Sequence, residues 1–419
     1  MPNLESLHAC NPSFVISSQQ DTDYYVDLAG GRVEDVVKKL RRAITLSPNR
    51  PIYQLLSGHI GSGKTTELLR LKVGLEQQGF SVIYCAADEY LQINDVSLTE
   101  LWLVILNLIL KQLEKKGESL ALAYLPNAIV EIEQWIRLSP PMGISSYWTR
   151  LQRILQALQD STQHRRQFQH YLEPRIKNSL LASGEEVTAI EVDRLKQLGK
   201  KGLVILVDNL DRLAPEQIEA IFGEGGKYLR QFQCHTIYTL PIMAIAHPDQ
   251  QFQERFQQRL KGNTPILLPN LMLRDRQGNI NLECLNLLRQ VVLARLLPKV
   301  SPERRLEHVT NIFDNLETLD LLCVASYGHL PYLLSLLYGC LQSQDPPINL
   351  ETLNQVLQVD RDTRLSTISD RDRQSLRQCL TNPYALTSDA LNLCRRLLLF
   401  ENHDAEGYWF ISPFAVANV

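Results

Sequence analysis

The stretch GHIGSGKTT, residues 58–66, carries the residue types of a phosphate site. It fits the pattern G-x-x-x-x-G-K-[ST], with Gly58, Gly63, Lys64 and Thr65 at the fixed positions. Glycines let the backbone curl so that successive N–H groups point into one concavity, and a following helix aims its positive end at the same place. A triphosphate fits there, with Lys64 reaching the β- and γ-phosphates and the Thr65 hydroxyl ligating Mg²⁺. The expected ligand is therefore ATP with Mg²⁺, held by Gly58, His59, Ile60, Gly61, Ser62, Gly63, Lys64, Thr65 and Thr66.

A second stretch, KGLVILVDNLDRL at 201–213, complements the first. Five apolar residues, 203–207, end in Asp208, the pattern of a buried strand delivering a carboxylate to the C-terminal edge of a sheet. Beside a phosphate loop, such a carboxylate holds Mg²⁺ directly or through water.

These side chains need elements to position them. Residues 52–56 read as a short buried strand entered from Pro51, and 66–72 have the apolar spacing of a helix. Residues 80–85 read as a second strand, nearly continuous in apolar and β-branched types as a central parallel strand should be. Ser97 and Glu100 form a capping-box pair ahead of a helix over 101–113, and further helical patterns run through about 121–137, 144–158 and 164–181. Strands over 235–242 and 265–269 flank a helix, and from about 280 the chain becomes helical. Near the end, helices over 350–364, 370–380 and from 387 precede two apolar runs, 397–400 and 408–411, joined by the turn-rich ENHDAEG. Residues 1–23, polar and rich in Ser, Gln and Asn, read as a loose lead-in.

The totals exclude several classes. With 419 residues there is room for two or three domains, and 44% hydrophobic with 21% charged residues describes an ordinary globular chain. A net charge of −3 argues against a protein coated in basic surface for nucleic acid. Eight scattered cysteines, with no C-x-x-C and no clustered histidines, suit reduced thiols of a cytoplasmic protein. The longest apolar run, 101–110, is about half a membrane span, and no signal pattern opens the chain, so no membrane association is expected.

The order of phosphate loop, strand ending in Asp, further strand and helical end resembles the AAA+ superfamily, and DNLDRL at 208–213 is similar to the matching segment of STAND-type signalling ATPases. The layout is also similar to bacterial and archaeal relatives of the origin-recognition initiator ATPases. The resemblance implies a parallel five-stranded α/β core over 24–275 with a helical insertion at about 90–200, an α-helical lid over 276–345, and a winged-helix-like domain over 346–419. It further implies that Tyr25 and Val26 meet the adenine, that Thr239 acts as sensor 1, and that Arg259, with Arg255 one turn earlier, is an arginine finger acting across a homo-oligomer that forms with ATP. Where such ATPases carry a glutamate after the metal-binding aspartate this chain has Asn209, and an amide is a poor base. Asp211 is the expected substitute. The lid's glycine pair is matched by Tyr327 and Gly328, and its sensor arginine by Pro331.

By the same resemblance, the expected function is a slowly hydrolysing ATPase that works as a nucleotide-dependent switch or assembly factor for a separate effector, as in defence or signalling systems. The alternatives are a DNA-binding initiator or transposition regulator, and a nucleotide-bound scaffold without turnover. Basic residues in the last expected helix are few, Arg395 and Arg396, and Glu401, Asp404 and Glu406 are expected at an acidic hairpin tip, which favours a protein partner over DNA.

Overall fold

Two strands with buried, β-branched sequences and two with a carboxylate or glycine at their ends build the centre of the molecule. The computed structural model describes residues 4–16, 23–32, 35–114, 120–138, 146–245, 249–260, 263–384, 387–404 and 407–412. Five parallel strands form one sheet: β1 (Tyr53–Gly58), β2 (Ser81–Ala86), β3 (Leu203–Asp208), β4 (His235–Pro241) and β5 (Ile266–Leu267), in the order β2-β3-β4-β1-β5. All five expected strands are present, so the α/β reading holds for the core.

Strand side chains alternate between two hydrophobic layers, as the pleat requires. Leu55, Ile83, Cys85, Ile205 and Val207 face one layer, and Leu56, Val82, Val204, Leu206 and Ile237 face the other. The second layer is closed by two helices, Val36–Thr45 and Lys64–Gln77. The first is closed by the segment between β2 and β3, the expected helical insertion.

Within that insertion the helix Leu98–Glu114 is buried all round from Leu101 to Leu110, and the Ser97–Glu100 capping box closes its start. Trp102 stacks on Phe232 with ring centroids 4.1 Å apart. Its six-membered ring lies against Gly184, where an added Cβ would stand only 1.8 Å from Trp102 Cζ3. Gly184 belongs to the helix Glu173–Gln197, which runs much further than the expected end near 181. Its polar exposed face hides the continuation from a reading of apolar spacing.

A third layer gathers the chain from Leu271 to Phe410. It contains the helices Leu282–Leu296, Leu316–Ala325, Leu330–Ser343 and Leu350–Ser366. Two shorter helices follow, Asp370–Thr381 and Ser388–Arg395, and then an antiparallel hairpin of β6 (Phe400–Asp404) and β7 (Gly407–Ile411). Residues 1–23 are not uniformly loose: Leu4–Ala9 is a helix, Cys10 joins this third layer, and Arg295 donates to the Ala9 carbonyl at 3.0 Å. Of the expected acidic hairpin tip, Glu401 is instead part of β6 and buried, and Asp404 is ion-paired with Arg276 at 2.6 Å. Glu406 lies outside the described residues. Among the described residues no helix is long and apolar enough to cross a membrane.

Candidate functional site

The site begins where β1 ends. Gly58 closes the strand and Lys64 opens the helix Lys64–Gln77, so the whole phosphate loop lies between a strand end and a helix start. Gly61 and Gly63 hold φ of 86° and 94°, a left-handed conformation that a side chain resists. Gly61 has a second reason to be glycine: an added Cβ would meet His329 Nε2 and Pro331 Cγ, each at 2.6 Å.

Lys64 is buried, and its ammonium is fully engaged. Nζ donates to the carbonyls of Gly58 at 2.9 Å and His59 at 2.7 Å, and pairs with Asp211 Oδ2 at 2.8 Å. Asp211, expected as a base, thus stands as the counter-charge of the phosphate-loop lysine.

Asp208 ends β3 as expected and is 1% exposed. Burial pushes its carboxyl above the usual range, opposed by hydrogen bonds from the Thr65 hydroxyl, the Asn209 amide and Tyr84. The Tyr84 hydroxyl donates to Asp208 Oδ2 at 2.8 Å and the Asn209 N–H to Oδ1 at 2.8 Å. The two expected metal ligands, Thr65 and Asp208, are therefore in direct contact. This donor set, a hydroxyl and a carboxylate facing a phosphate cradle, suits Mg²⁺, which prefers oxygen and keeps most of its waters.

Asn209 adopts φ of 62°, a conformation asparagine tolerates better than most residues. The turn directs its amide to Asp88, with Nδ2 donating to Oδ1 at 2.6 Å. Asp88 follows β2, is exposed, and lines the same cleft. Nothing in its local sequence marks it; only the pairing of β2 with β3 brings it within reach.

A cleft of about 630 Å³ opens above the loop, within the range of small-molecule sites. Its walls include Tyr25, Val26, Arg32, Gly61, Asn209 and Pro331. Tyr25 and Val26 are thus brought to the site, with the Tyr25 hydroxyl accepting from Arg70 at 2.8 Å. Arg32 was not anticipated. Its guanidinium donates to Glu67 at 3.0 Å and to the Ser62 carbonyl at 2.5 Å, while its buried Nε has no hydrogen-bond partner.

Two expected residues lie elsewhere. Thr239 is fully buried, and its hydroxyl accepts from the Leu210 N–H at 3.0 Å, holding the loop after Asp208 from below. Arg259 pairs with Glu219 at 2.7 Å and lines a different cavity, beside Lys177 and Tyr228. Arg255 lies 3.9 Å from the same Glu219.

The later part of the chain reaches the loop from the other side. His329 caps the helix Leu330–Ser343, with Nδ1 accepting from the Tyr332 N–H at 3.2 Å, so Nε2 carries the proton and donates to the Ile60 carbonyl at 2.9 Å. His59 Nδ1 lies 2.7 Å from that same carbonyl. Two imidazoles therefore converge on one phosphate-loop oxygen. Phe400 stacks on His329 at 4.5 Å and meets His59 edge-on at 6.1 Å. Burial lowers the His59 ring to about 4, with the Ile60 and Leu399 carbonyls opposing, and lowers His329 to about 3, with His59 and Lys64 adding to the effect. Both rings are neutral near pH 7.

No family model and no curated protein matches the chain. Among solved structures, it is similar to a Walker-type ATPase of Pyrococcus abyssi, at 13% identity and a TM-score of 0.42, over 97% of this chain and 98% of that one. A likeness this distant carries no argument, and the functional reading stands on the parallel sheet and the loop itself. What these establish is an α/β core of five parallel strands with a glycine-rich loop of the G-x-x-x-x-G-K-[ST] pattern between β1 and its helix.

Proposed function

We propose that the chain is an ATP- and Mg²⁺-binding ATPase of AAA+ or STAND type, working as a nucleotide-dependent switch on its own assembly or on a separate protein partner. The observation that carries this reading is the convergence of Lys64, Thr65 and Asp208 beneath a cleft of about 630 Å³. In this reading Lys64 exchanges Asp211 for the β- and γ-phosphates, Thr65 and Asp208 hold Mg²⁺, and Arg32 adds a second positive charge. Asp88, accepting from Asn209 at the cleft wall, orients the attacking water in place of a residue after Asp208.

The boundaries proposed are a core over 24–275, a lid over 276–345 and a winged-helix-like domain over 346–419. The contacts of His329 and Phe400 with the loop support a switch, because a ligand that shifts the loop also shifts the segments packed on it. Arg259 acts in trans only if its pairing with Glu219 opens, so assembly and ATP binding are proposed to be linked through that ion pair. The protein is proposed to be cytoplasmic. DNA is the alternative partner, and Arg396, directly after the helix Ser388–Arg395, is paired with Asp372 at 2.7 Å.

Calorimetry with MgATP tests binding, phosphate release tests turnover, and mass in solution with a slowly hydrolysed ATP analogue tests assembly. Binding that survives Lys64→Ala unchanged would defeat the site. Binding without phosphate release would make the chain a nucleotide-bound scaffold.

A further inference from the structure

Beneath the phosphate loop, three side chains with metal-ligating atoms meet. One ligand atom each from His59, Cys394 and Glu401 lies within 4.8 Å of the other two. The residues are 2%, 3% and 5% exposed. They arrive from three separate segments: His59 directly after β1, Cys394 from the helix Ser388–Arg395, and Glu401 from β6.

Two of the polar atoms are orphans. His59 Nε2 and Glu401 Oε2 are buried without a partner of hydrogen-bond geometry. Leaving a buried polar atom unsatisfied is costly, and a bound cation is one of the partners that satisfies it. The Ile60 carbonyl, 2.7 Å from His59 Nδ1, can only accept, so Nδ1 carries the ring proton whenever Nε2 acts as a ligand, and the Leu399 carbonyl also lies beside the ring. An imidazole whose second nitrogen donates to a backbone carbonyl is oriented as metal-ligating histidines are.

We propose that His59, Cys394 and Glu401 form a site for a zinc-class divalent cation that staples the phosphate loop to the C-terminal hairpin. One nitrogen, one sulfur and one oxygen suit Zn²⁺ or Co²⁺, whereas Mg²⁺ and Ca²⁺ take oxygen alone. Binding forms a metal–sulfur bond as the Cys394 S–H loses its proton, and a metal–oxygen bond at Glu401, whose carboxyl proton, where present, also leaves to solvent. No oxidation state changes. Three protein ligands leave the fourth tetrahedral position to water. The site is separate from the proposed Mg²⁺ ligands Thr65 and Asp208, and its occupancy does not depend on ATP hydrolysis.

The test uses the full chain, stripped with a chelator and then titrated with Co²⁺ in the absence of nucleotide. The expected result is one equivalent of Co²⁺ giving a thiolate-to-cobalt absorption band, released protons, and displacement of the band by one equivalent of Zn²⁺. Cys394→Ser abolishes the band, whereas Cys234→Ser, altered at a distant buried thiol, keeps it. Glu401→Gln, nearly isosteric, weakens Co²⁺ binding at least about tenfold, and circular dichroism verifies that each variant is folded. Should Cys394→Ser fail to fold, Glu401→Gln decides. Absence of the band in folded wild type, its persistence in Cys394→Ser, or unchanged Co²⁺ affinity in Glu401→Gln would each overturn the proposal.

Discussion

Lys64 Nζ lies 2.8 Å from Asp211 Oδ2, and the two side chains are only 3% and 11% exposed. The loop therefore carries a counter-charge to Lys64 within the chain itself. Removing one partner of a buried pair leaves the other charge uncompensated, at a cost of roughly 3 kcal/mol. Asp211→Asn is expected to lower the melting temperature of the free protein and to gain more from MgATP than wild type does, because phosphate then supplies the missing charge. Thermal unfolding with and without MgATP measures both. Lys64→Ala is expected to weaken ATP binding by about tenfold or more, the worth of a charge-assisted hydrogen bond.

Asp88 and Asp211 are competing candidates for water activation. The amide of Asn209 bonds Asp88, and Asp211 is occupied by Lys64. Loss of a positioned base costs about 10²–10⁴ in rate. Asp88→Asn is therefore expected to cut phosphate release by about a hundredfold or more with ATP affinity nearly unchanged. If Asp211→Asn alone produces that loss, the base is Asp211.

The insertion carries a pH signature. Burial raises the Glu100 carboxyl to about 7, with the hydrogen bonds from Gln169 and Ser97 opposing. Below about 4.5 the group is neutral in both folded and unfolded chains. Between 4.5 and 7 the folded chain holds the extra proton, so stability falls as pH rises through that window, and the loss is complete above it. Glu100→Gln keeps an acceptor for the Ser97 N–H and removes the buried charge. It is expected to match wild type near pH 4 and to exceed it by roughly 2–3 kcal/mol at pH 8, measured by urea denaturation at the two pH values.

Gly184→Ala tests the packing of the insertion on the sheet layer. The new methyl would stand 1.8 Å from the Trp102 ring, which is itself pinned against Phe232. Overpacking of this kind costs typically 1–3 kcal/mol or more. A lower denaturation midpoint with an unchanged slope is expected; wild-type stability would mean that the Trp102 ring can move aside.

The sequence by itself determined the glycine loop, the carboxylate that ends β3 and the strands that carry them. Each is a local matter: glycines where φ must be positive, a lysine and a threonine at a helix start, apolar runs ending in Asp208. Local chemistry leaves local traces. Tertiary structure alone decided what surrounds them. Asp88 meets Asn209 because β2 pairs with β3, Thr239 is buried because β4 is covered on both faces, and Glu401 is buried because the hairpin folds back on His59. A carboxylate in a turn-rich stretch reads as a solvated tip when only its neighbours in sequence are known. Burial is a property of the partners that cover a residue, and those partners are remote in the chain: Asn209 lies 121 residues from Asp88.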